Sequence, residues 1–81
     1  MKVAIIGTGY VGLPTGIGLS ELGNQVVCID KIEEKIRSLQ NGKATIYEDG
    51  MEDLFQKNLA SGRLSFTTDM RAGVKGADVV M

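Results

Sequence analysis

The chain has 81 residues, 43% of them hydrophobic, and its 9 basic and 10 acidic side chains leave a formal net charge of -1. This length allows one small domain or a piece of one, with a modest core and marginal stability. The charges are nearly balanced and form no basic block, so nothing indicates nucleic acid or an anionic membrane as a partner.

The N-terminus and the cysteine content favour a cytoplasmic protein. No apolar run approaches the roughly 18 residues that a membrane span needs. The N-terminal apolar stretch is interrupted by Gly7 and Gly9, which is unlike a signal peptide. The single cysteine, Cys28, cannot form an internal disulfide. We therefore expect a reducing, cytoplasmic setting.

The first predicted strand, Lys2 to Ile6, leads directly into a glycine-rich turn with the pattern G-x-G-x-x-G. The apolar residues of this strand do not alternate with polar ones, so we expect both of its faces to be buried. A strand, a glycine turn and a helix in this order are typical of a dinucleotide-binding unit.

Each glycine of the turn has a physical task in such a unit. Gly7 lets the chain turn sharply, Gly9 lets a pyrophosphate approach the backbone, and Gly12 lets the following helix pack closely on the strand. Tyr10 and Val11 lie where free backbone N–H groups, at the positive end of the helix dipole, face that pyrophosphate.

The helix after the turn is predicted over Val11 to Leu22. Pro14 falls in its first turn, where a missing N–H does no harm. Gly23 follows as a left-handed cap. Gly12 and Gly16 lie on one face of this helix, which indicates close contact with the sheet.

The second predicted strand, Gln25 to Ile29, ends at Asp30, which lies 18 positions past Gly12. A glycine turn alone also occurs where nothing is bound, but an acidic residue about 20 positions on is placed to hold adenosine ribose hydroxyls. Together the two features favour dinucleotide binding. Cys28 lies within this strand, and the chain has no histidine to activate it. A buried structural thiol is therefore favoured over a nucleophile.

The next helix is predicted over Ile32 to Gln40. Its apolar stripe is formed by Ile32, Ile36 and Leu39. Lys35, near its start, has two interpretations. It either belongs with Lys31 to a solvated basic edge beside Glu33 and Glu34, or it reaches back to the adenosine end of a bound cofactor. Spacing alone favours the solvated edge.

The second half of the chain continues the alternation of helices and strands. After a loop at 43–50, the predicted elements are a helix over Met51 to Ala60, a strand over Leu64 to Thr67, a short helix from a cap at Thr68 or Asp69 to Val74, and a strand over Ala77 to Met81. The apolar face of the longer helix comprises Met51, Leu54, Phe55 and Leu59.

This alternation predicts an α/β fold with a parallel sheet. Right-handed crossovers then give the strand order 3-2-1-4, the first half of a doubly wound fold. We expect residues 1–81 to be the N-terminal part of a dinucleotide-binding domain, truncated in strand 4. The cofactor crevice is expected at the carboxyl ends of strands 1 and 4, beside the glycine turn.

The sequence resembles the N-terminus of the nucleotide-sugar 6-dehydrogenases, with the UDP-glucose 6-dehydrogenases most similar. The segments that carry the resemblance are MKVAIIGTGYVGLPT, the CID at the end of the second strand, NGKATIYEDGMEDL, SGRLSFTTD and KGADVVM. They cover essentially the whole chain. GDP-mannose and UDP-N-acetylmannosamine dehydrogenases are near relatives in this family.

The resemblance implies a Rossmann domain that binds NAD, in an enzyme that oxidises the C6 alcohol of a sugar nucleotide to a carboxylate with two NAD molecules. In the family the Tyr-Val pair of the turn, here Tyr10 and Val11, lies against the pyrophosphate. The aspartate that ends strand 2, here Asp30, holds the ribose, and a lysine five positions later, here Lys35, contacts the cofactor. The resemblance thus favours the functional interpretation of Lys35. A nucleotide sugar is the implied substrate, and a homo-oligomer is compatible with the sequence.

Two departures from the family pattern bear on function. Thr45 and Asp49 stand where the family loop S-P-I-Y-E-P-G-L has prolines, which puts the role of that loop in doubt. The family's catalytic cysteine and lysine lie downstream of position 81, and Cys28 does not correspond to that cysteine. We therefore expect no catalytic residue and no metal ligand in this chain.

Two other interpretations use the same glycine pattern. One is a non-enzymatic nucleotide-sensing module of the kind that regulates potassium uptake, and the other is a flavin-binding domain. A sensing module reaches its third strand soon after one short helix. Here more than 30 residues and two predicted helices separate Asp30 from Leu64, which favours the dehydrogenase. No feature of the sequence favours a flavin.

Overall fold

A computed structural model describes residues 1–9, 12–44 and 50–81 of the chain. In chain order its elements are β1 (Lys2–Ile6), α1 (Gly12–Glu21), β2 (Gln25–Ile29), α2 (Glu33–Gln40), α3 (Met51–Ser61), β3 (Leu64–Thr67), α4 (Met70–Val74) and β4 (Val79–Val80). The predicted order of elements is confirmed, and the first three strands have their predicted bounds. Val11, where the first helix was expected to begin, lies outside the described residues.

The four strands form one parallel sheet in the order β3-β2-β1-β4, which confirms the predicted half of a doubly wound fold. The register of β1 on β2 runs from Lys2 opposite Gln25 to Ile6 opposite Ile29. Both strands therefore end at the same level, and the residues that follow them emerge side by side. This register places the glycine turn next to Asp30.

The main core lies on one face of the sheet. Paired positions along the strands bring the buried side chains Val3, Val26 and Leu64 into one row and Ile5, Cys28 and Phe66 into the next. Three helices cover these rows with Ile17, Ile36, Leu39 and Phe55. The rings of Phe55 and Phe66 meet edge to face, with centroids 6.1 Å apart. Burial of one such side chain contributes about 1.5–3 kcal/mol.

The opposite face of the sheet is covered by α4 over β2. A Cβ atom on Gly73 of α4 would lie 2.5 Å from Cγ1 of Ile29, so the helix backbone rests directly on that side chain. Ile29 and Ala4 are buried here, whereas Ile6 is 50% exposed. The expectation that both faces of the whole first strand are buried is therefore wrong at Ile6, which points to the face that α4 covers only over β2.

Three further expectations need correction. Ile32 is 52% exposed and does not join the apolar stripe of α2, because it is the N-cap residue and precedes the first helical turn. Leu22 lies beyond α1 and is 80% exposed. The fourth strand is shorter than Ala77 to Met81, because the N–H of Ala77 donates to Val74 O in the turn that closes α4.

The cap of α4 is Asp69 rather than Thr68, and its carboxylate accepts from the N–H of Ala72 at 3.1 Å. The predicted cap Gly23 is confirmed, with φ of 101°. In α3 the buried residues are Phe55 and Asn58, and the amide of Asn58 donates to Glu21 at 3.2 Å. This contact and the ion pair of Lys57 with Glu21, at 3.0 Å, join the end of α1 to α3.

Candidate functional site

The glycine turn connects β1 to α1 at the carboxyl edge of the sheet. Gly7 has φ of 101°, a backbone conformation that side chains disfavour. Its N–H donates to Ile29 O at 2.7 Å, which binds the start of the turn to the end of β2. The N–H of Leu13 then donates to Gly9 O at 3.1 Å, so helical hydrogen bonding begins within the turn.

Gly12 and Gly9 serve different purposes in this turn. A Cβ on Gly12 would lie 2.5 Å from Gly7 O, so the close approach of α1 to the turn requires glycine. A Cβ on Gly9 would meet no described atom within 4 Å. Gly12 therefore leaves no room for a side chain, whereas no atom of the described residues fills the space beside Gly9, and there a ligand can approach the backbone.

The helix that follows the turn supplies favourable electrostatics for an anion. α1 is 10 residues long, and the partial positive charge of its N-terminus lies at the turn. Tyr10 and Val11, whose N–H groups were predicted to face the pyrophosphate, lie outside the described residues. Their contact with a ligand stays a prediction.

Asp30 follows β2 directly, and its side chain is only 12% exposed. Its Oδ1 accepts from the N–H of Ile32 at 3.1 Å. Its Oδ2 accepts from the N–H and the hydroxyl of Thr8, at 3.2 and 2.8 Å. The hydrogen bond from Ile32 is the main reason that the pKa of Asp30 is lowered. The two bonds from Thr8 and the charge of Lys35 add to this effect, and partial burial opposes it.

Lys35 joins this carboxylate from the first turn of α2. Its Nζ lies 3.5 Å from Oδ2 of Asp30, and its side chain is 40% exposed. Spacing favoured a solvated basic edge, whereas the structure places Lys35 against Asp30. The contact with a cofactor that the resemblance implies for Lys35 stays a prediction. The predicted residues Gly7, Gly9, Gly12, Asp30 and Lys35 therefore occupy one edge of the sheet.

Thr8 is the site residue that the sequence interpretation missed. It is 3% exposed and connects the glycine turn to Asp30 across 22 positions of sequence. The signal that was available is a hydroxyl side chain between two glycines, next to the end of a strand. Its partner became evident only from the register of β1 on β2.

The arrangement fits the adenosine and pyrophosphate parts of a dinucleotide. The open side of Gly9 leaves space at the helix N-terminus, and the carboxylate of Asp30 offers an acceptor for ribose hydroxyls. Lys35 supplies a positive charge beside that acceptor.

Neither a reactive thiol nor a cluster of metal ligands occurs among the described residues. Cys28 is buried, and burial raises the pKa of its thiol to about 12, so it is not a nucleophile. Within the ranges 1–9, 12–44 and 50–81 no group of three potential metal ligands occurs. No helix in these ranges is long and apolar enough to cross a membrane. The loop residues Tyr47 and Glu48 lie outside them.

Comparison with known proteins agrees with this geometry. The model of the NAD-binding domain of the UDP-glucose/GDP-mannose dehydrogenase family matches residues 1–81. A UDP-glucose 6-dehydrogenase of Bacillus subtilis strain 168 is 51% identical over 79 residues. A GDP-mannose 6-dehydrogenase of Pseudomonas syringae pv. tomato is 42% identical over 81 residues.

Solved structures show the same fold. A ternary complex of GDP-mannose dehydrogenase from Pseudomonas aeruginosa superposes with a TM-score of 0.89 at 40% identity, over 99% of this chain. The chain spans 17% of the length of the Bacillus subtilis relative and 18% of each of the two Pseudomonas proteins, while matching 98–100% of itself.

Proposed function

Because the chain belongs to the UDP-glucose/GDP-mannose dehydrogenase family, as its NAD-binding domain, we propose that it is the cofactor-binding portion of a nucleotide-sugar 6-dehydrogenase. The observation that carries this proposal is the juxtaposition of the open glycine turn with the Asp30 carboxylate, joined through Thr8. We expect the glycine turn to bind the pyrophosphate and Asp30 to bind the adenosine ribose of one NAD molecule.

Different residues of the chain are proposed to bind different parts of NAD. The turn at Gly9, with the N–H groups of Tyr10 and Val11, binds the pyrophosphate at the N-terminus of α1. Asp30 accepts hydrogen bonds from the ribose, and Lys35 balances its charge from 3.5 Å. NAD, when bound, supplies the acceptor for a hydride.

For the substrate we propose UDP-glucose, oxidised at C6 from the alcohol to the carboxylate with reduction of two NAD. The support is the higher identity to the relative named for UDP-glucose, 51% against 42% for the one named for GDP-mannose. The residues that contact the sugar and perform the chemistry are proposed to lie in the remainder of the family's length. The protein is proposed to work in the cytoplasm, without nucleic acid or membrane partners.

A non-enzymatic nucleotide sensor is the competing function. Two helices, α2 and α3, separate β2 from β3, whereas a sensing module has one short helix there. This observation and the family match favour the dehydrogenase.

The test measures NADH absorbance with the full-length protein that carries this domain, supplied with UDP-glucose, GDP-mannose or UDP-N-acetylmannosamine. We expect two NADH per UDP-glucose consumed and slower reaction with the other two. Faster oxidation of GDP-mannose than of UDP-glucose would indicate that GDP-mannose is the substrate. Tight NAD binding with no oxidation of any sugar nucleotide would favour the sensor. We expect Asp30→Asn to weaken NAD binding. Its control is Asp53→Asn, which changes an exposed carboxylate of α3 and should leave NAD binding unchanged.

A further inference from the structure

Thr8 connects the two parts of the candidate site. It is 3% exposed, and both of its donors, the backbone N–H at 3.2 Å and the hydroxyl at 2.8 Å, reach the same oxygen of Asp30. A buried threonine hydroxyl in a turn often bonds the backbone of its own turn. Here it crosses to the end of the neighbouring strand, so the turn and the carboxylate are held together.

The hydrogen bonds of Asp30 leave a defined acceptor for a ligand. An ionised carboxylate has about four lone-pair sites, two on each oxygen. The two bonds from Thr8 occupy Oδ2, and Lys35 approaches the same oxygen at 3.5 Å. On Oδ1 the N–H of Ile32 takes one site. The remaining site on Oδ1 can accept a ligand hydroxyl without breaking any of these bonds.

We propose that Thr8 is a positioning residue of the NAD site: its hydroxyl orients the Asp30 carboxylate so that Oδ1 accepts from the adenosine ribose. This inference rests on the proposed function. The terminal torsion of an aspartate is broad. Without the hydroxyl, the carboxylate is held only by the N–H groups of Thr8 and Ile32 and by Lys35, so its orientation is less restricted.

The experiment compares Thr8→Val, which keeps the shape but removes the hydroxyl, with Thr8→Ser, which keeps the hydroxyl. NAD affinity is measured by calorimetry, and the pKa of Asp30 is measured by NMR of its carboxyl carbon in the ligand-free protein. We expect Thr8→Val to bind NAD roughly tenfold more weakly, as for loss of one hydrogen bond to a charged group. We expect the pKa of Asp30 to rise in this variant, and Thr8→Ser to retain the original affinity and pKa.

A second ligand pair separates positioning from general loosening of the turn. ADP and 2′,3′-dideoxy-ADP share the adenine and the pyrophosphate, but the second ligand has no ribose hydroxyls. If Thr8 acts through Asp30, Thr8→Val weakens ADP and leaves dideoxy-ADP unchanged. Equal weakening of both ligands would show a merely structural role and would overturn the proposal.

The remaining outcomes are also decisive. NAD binding by Thr8→Val at the original affinity, or by Thr8→Ser as weakly as by Thr8→Val, would contradict the role of the hydroxyl. If circular dichroism shows that Thr8→Val does not fold, Thr8→Ala replaces it under the same criteria. If the unmodified protein fails to bind NAD, the proposed function fails. The Asp30 pKa then still reports on positioning, and an unchanged value in the hydroxyl-free variant overturns it.

Discussion

The side chain of Asp30, at the end of β2, is held by contacts from three other residues. Its carboxylate is held by Thr8 from the glycine turn, by the N–H of Ile32 at the start of α2, and by Lys35. These contacts favour the charged form and keep the pKa below its ordinary value of 3.8. The carboxylate therefore stays ionised at neutral pH, oriented toward the edge where the glycine turn lies.

A fixed negative charge at this position should select NAD over NADP. A 2′-phosphate about 4 Å from the carboxylate meets a repulsion on the order of 4 kcal/mol at an effective dielectric constant of 20, before screening. Lys35 offsets part of it, so we expect NADP to bind at least roughly tenfold more weakly than NAD. Calorimetric titration with both nucleotides measures the ratio. Equal affinities for NAD and NADP would contradict the role of Asp30 in binding the ribose.

Cys28 illustrates how burial changes the chemistry of a residue. Its thiol is fully buried in β2, and a Cβ on Gly16 of α1 would lie 3.0 Å from its sulfur. Burial raises the pKa of Cys28 from 9.0 to about 12 in the folded chain. Since the unfolded chain loses this proton at lower pH than the folded chain, the unfolded state is favoured as the pH rises above 9.

We therefore expect the free energy of unfolding to fall by about 1.4 kcal/mol per pH unit through this group alone above pH 9. Urea unfolding from pH 8 to pH 10.5 measures the slope, and Cys28→Ala, which lacks the group, isolates it from the titration of lysine and tyrosine. Identical slopes in the two proteins would contradict the raised pKa. Thiol-reactive dyes should label Cys28 only after unfolding.

At the scale of elements, the turn between β1 and α1 contains one glycine with no room for a side chain and one with free space beside it. Gly12 lies against Gly7 O, whereas the position of a Gly9 side chain meets no described atom within 4 Å. The two glycines of one motif therefore serve different purposes: Gly12 is needed for packing, and Gly9 leaves space for a ligand.

The matched pair Gly9→Val and Gly12→Ala tests this division. Gly9→Val should abolish NAD binding and leave the circular dichroism spectrum intact, because the side chain fills the space of the pyrophosphate. Gly12→Ala should destabilise the fold by about 1–3 kcal/mol through overpacking against the turn. Normal NAD binding by Gly9→Val would mean that the turn is only a strand-to-helix connection.

At the scale of the whole molecule, β4 is an exposed edge. Val79, Val80 and Met81 are 40%, 52% and 56% exposed, and in the described ranges no strand pairs with the outer side of β4. Unprotected apolar edges of this kind pair with other chains.

We expect the 81-residue chain by itself to associate or to be poorly soluble. Sedimentation velocity over a range of concentrations measures this, and Val80→Lys, which places a charge on the exposed edge, should reduce the association. A monomer at high concentration in the unmodified chain would count against the prediction.

We also expect the 81-residue chain alone to produce no NADH. Oxidation at C6 needs the nicotinamide, the sugar and a base within reacting distance, and the chain has no histidine and one buried thiol. The measurement is NADH absorbance with the three sugar nucleotides named above, with Cys28→Ser as the control. Turnover that disappears in the control would place the reaction within this chain.

The local sequence determined the elements, the strand order and the region of the site. Apolar runs and glycines defined β1, β2 and β3 with their observed bounds, because strand formation and turns depend on neighbouring residues.

Tertiary structure alone decided which side chains meet. The hydrogen bonds of Thr8 to Asp30 and of Asn58 to Glu21 join residues 22 and 37 positions apart. Such contacts depend on sheet register and helix packing, which no local periodicity encodes. The same reason explains the exposure of Ile6 and Ile32: a residue's burial depends on the element that covers it.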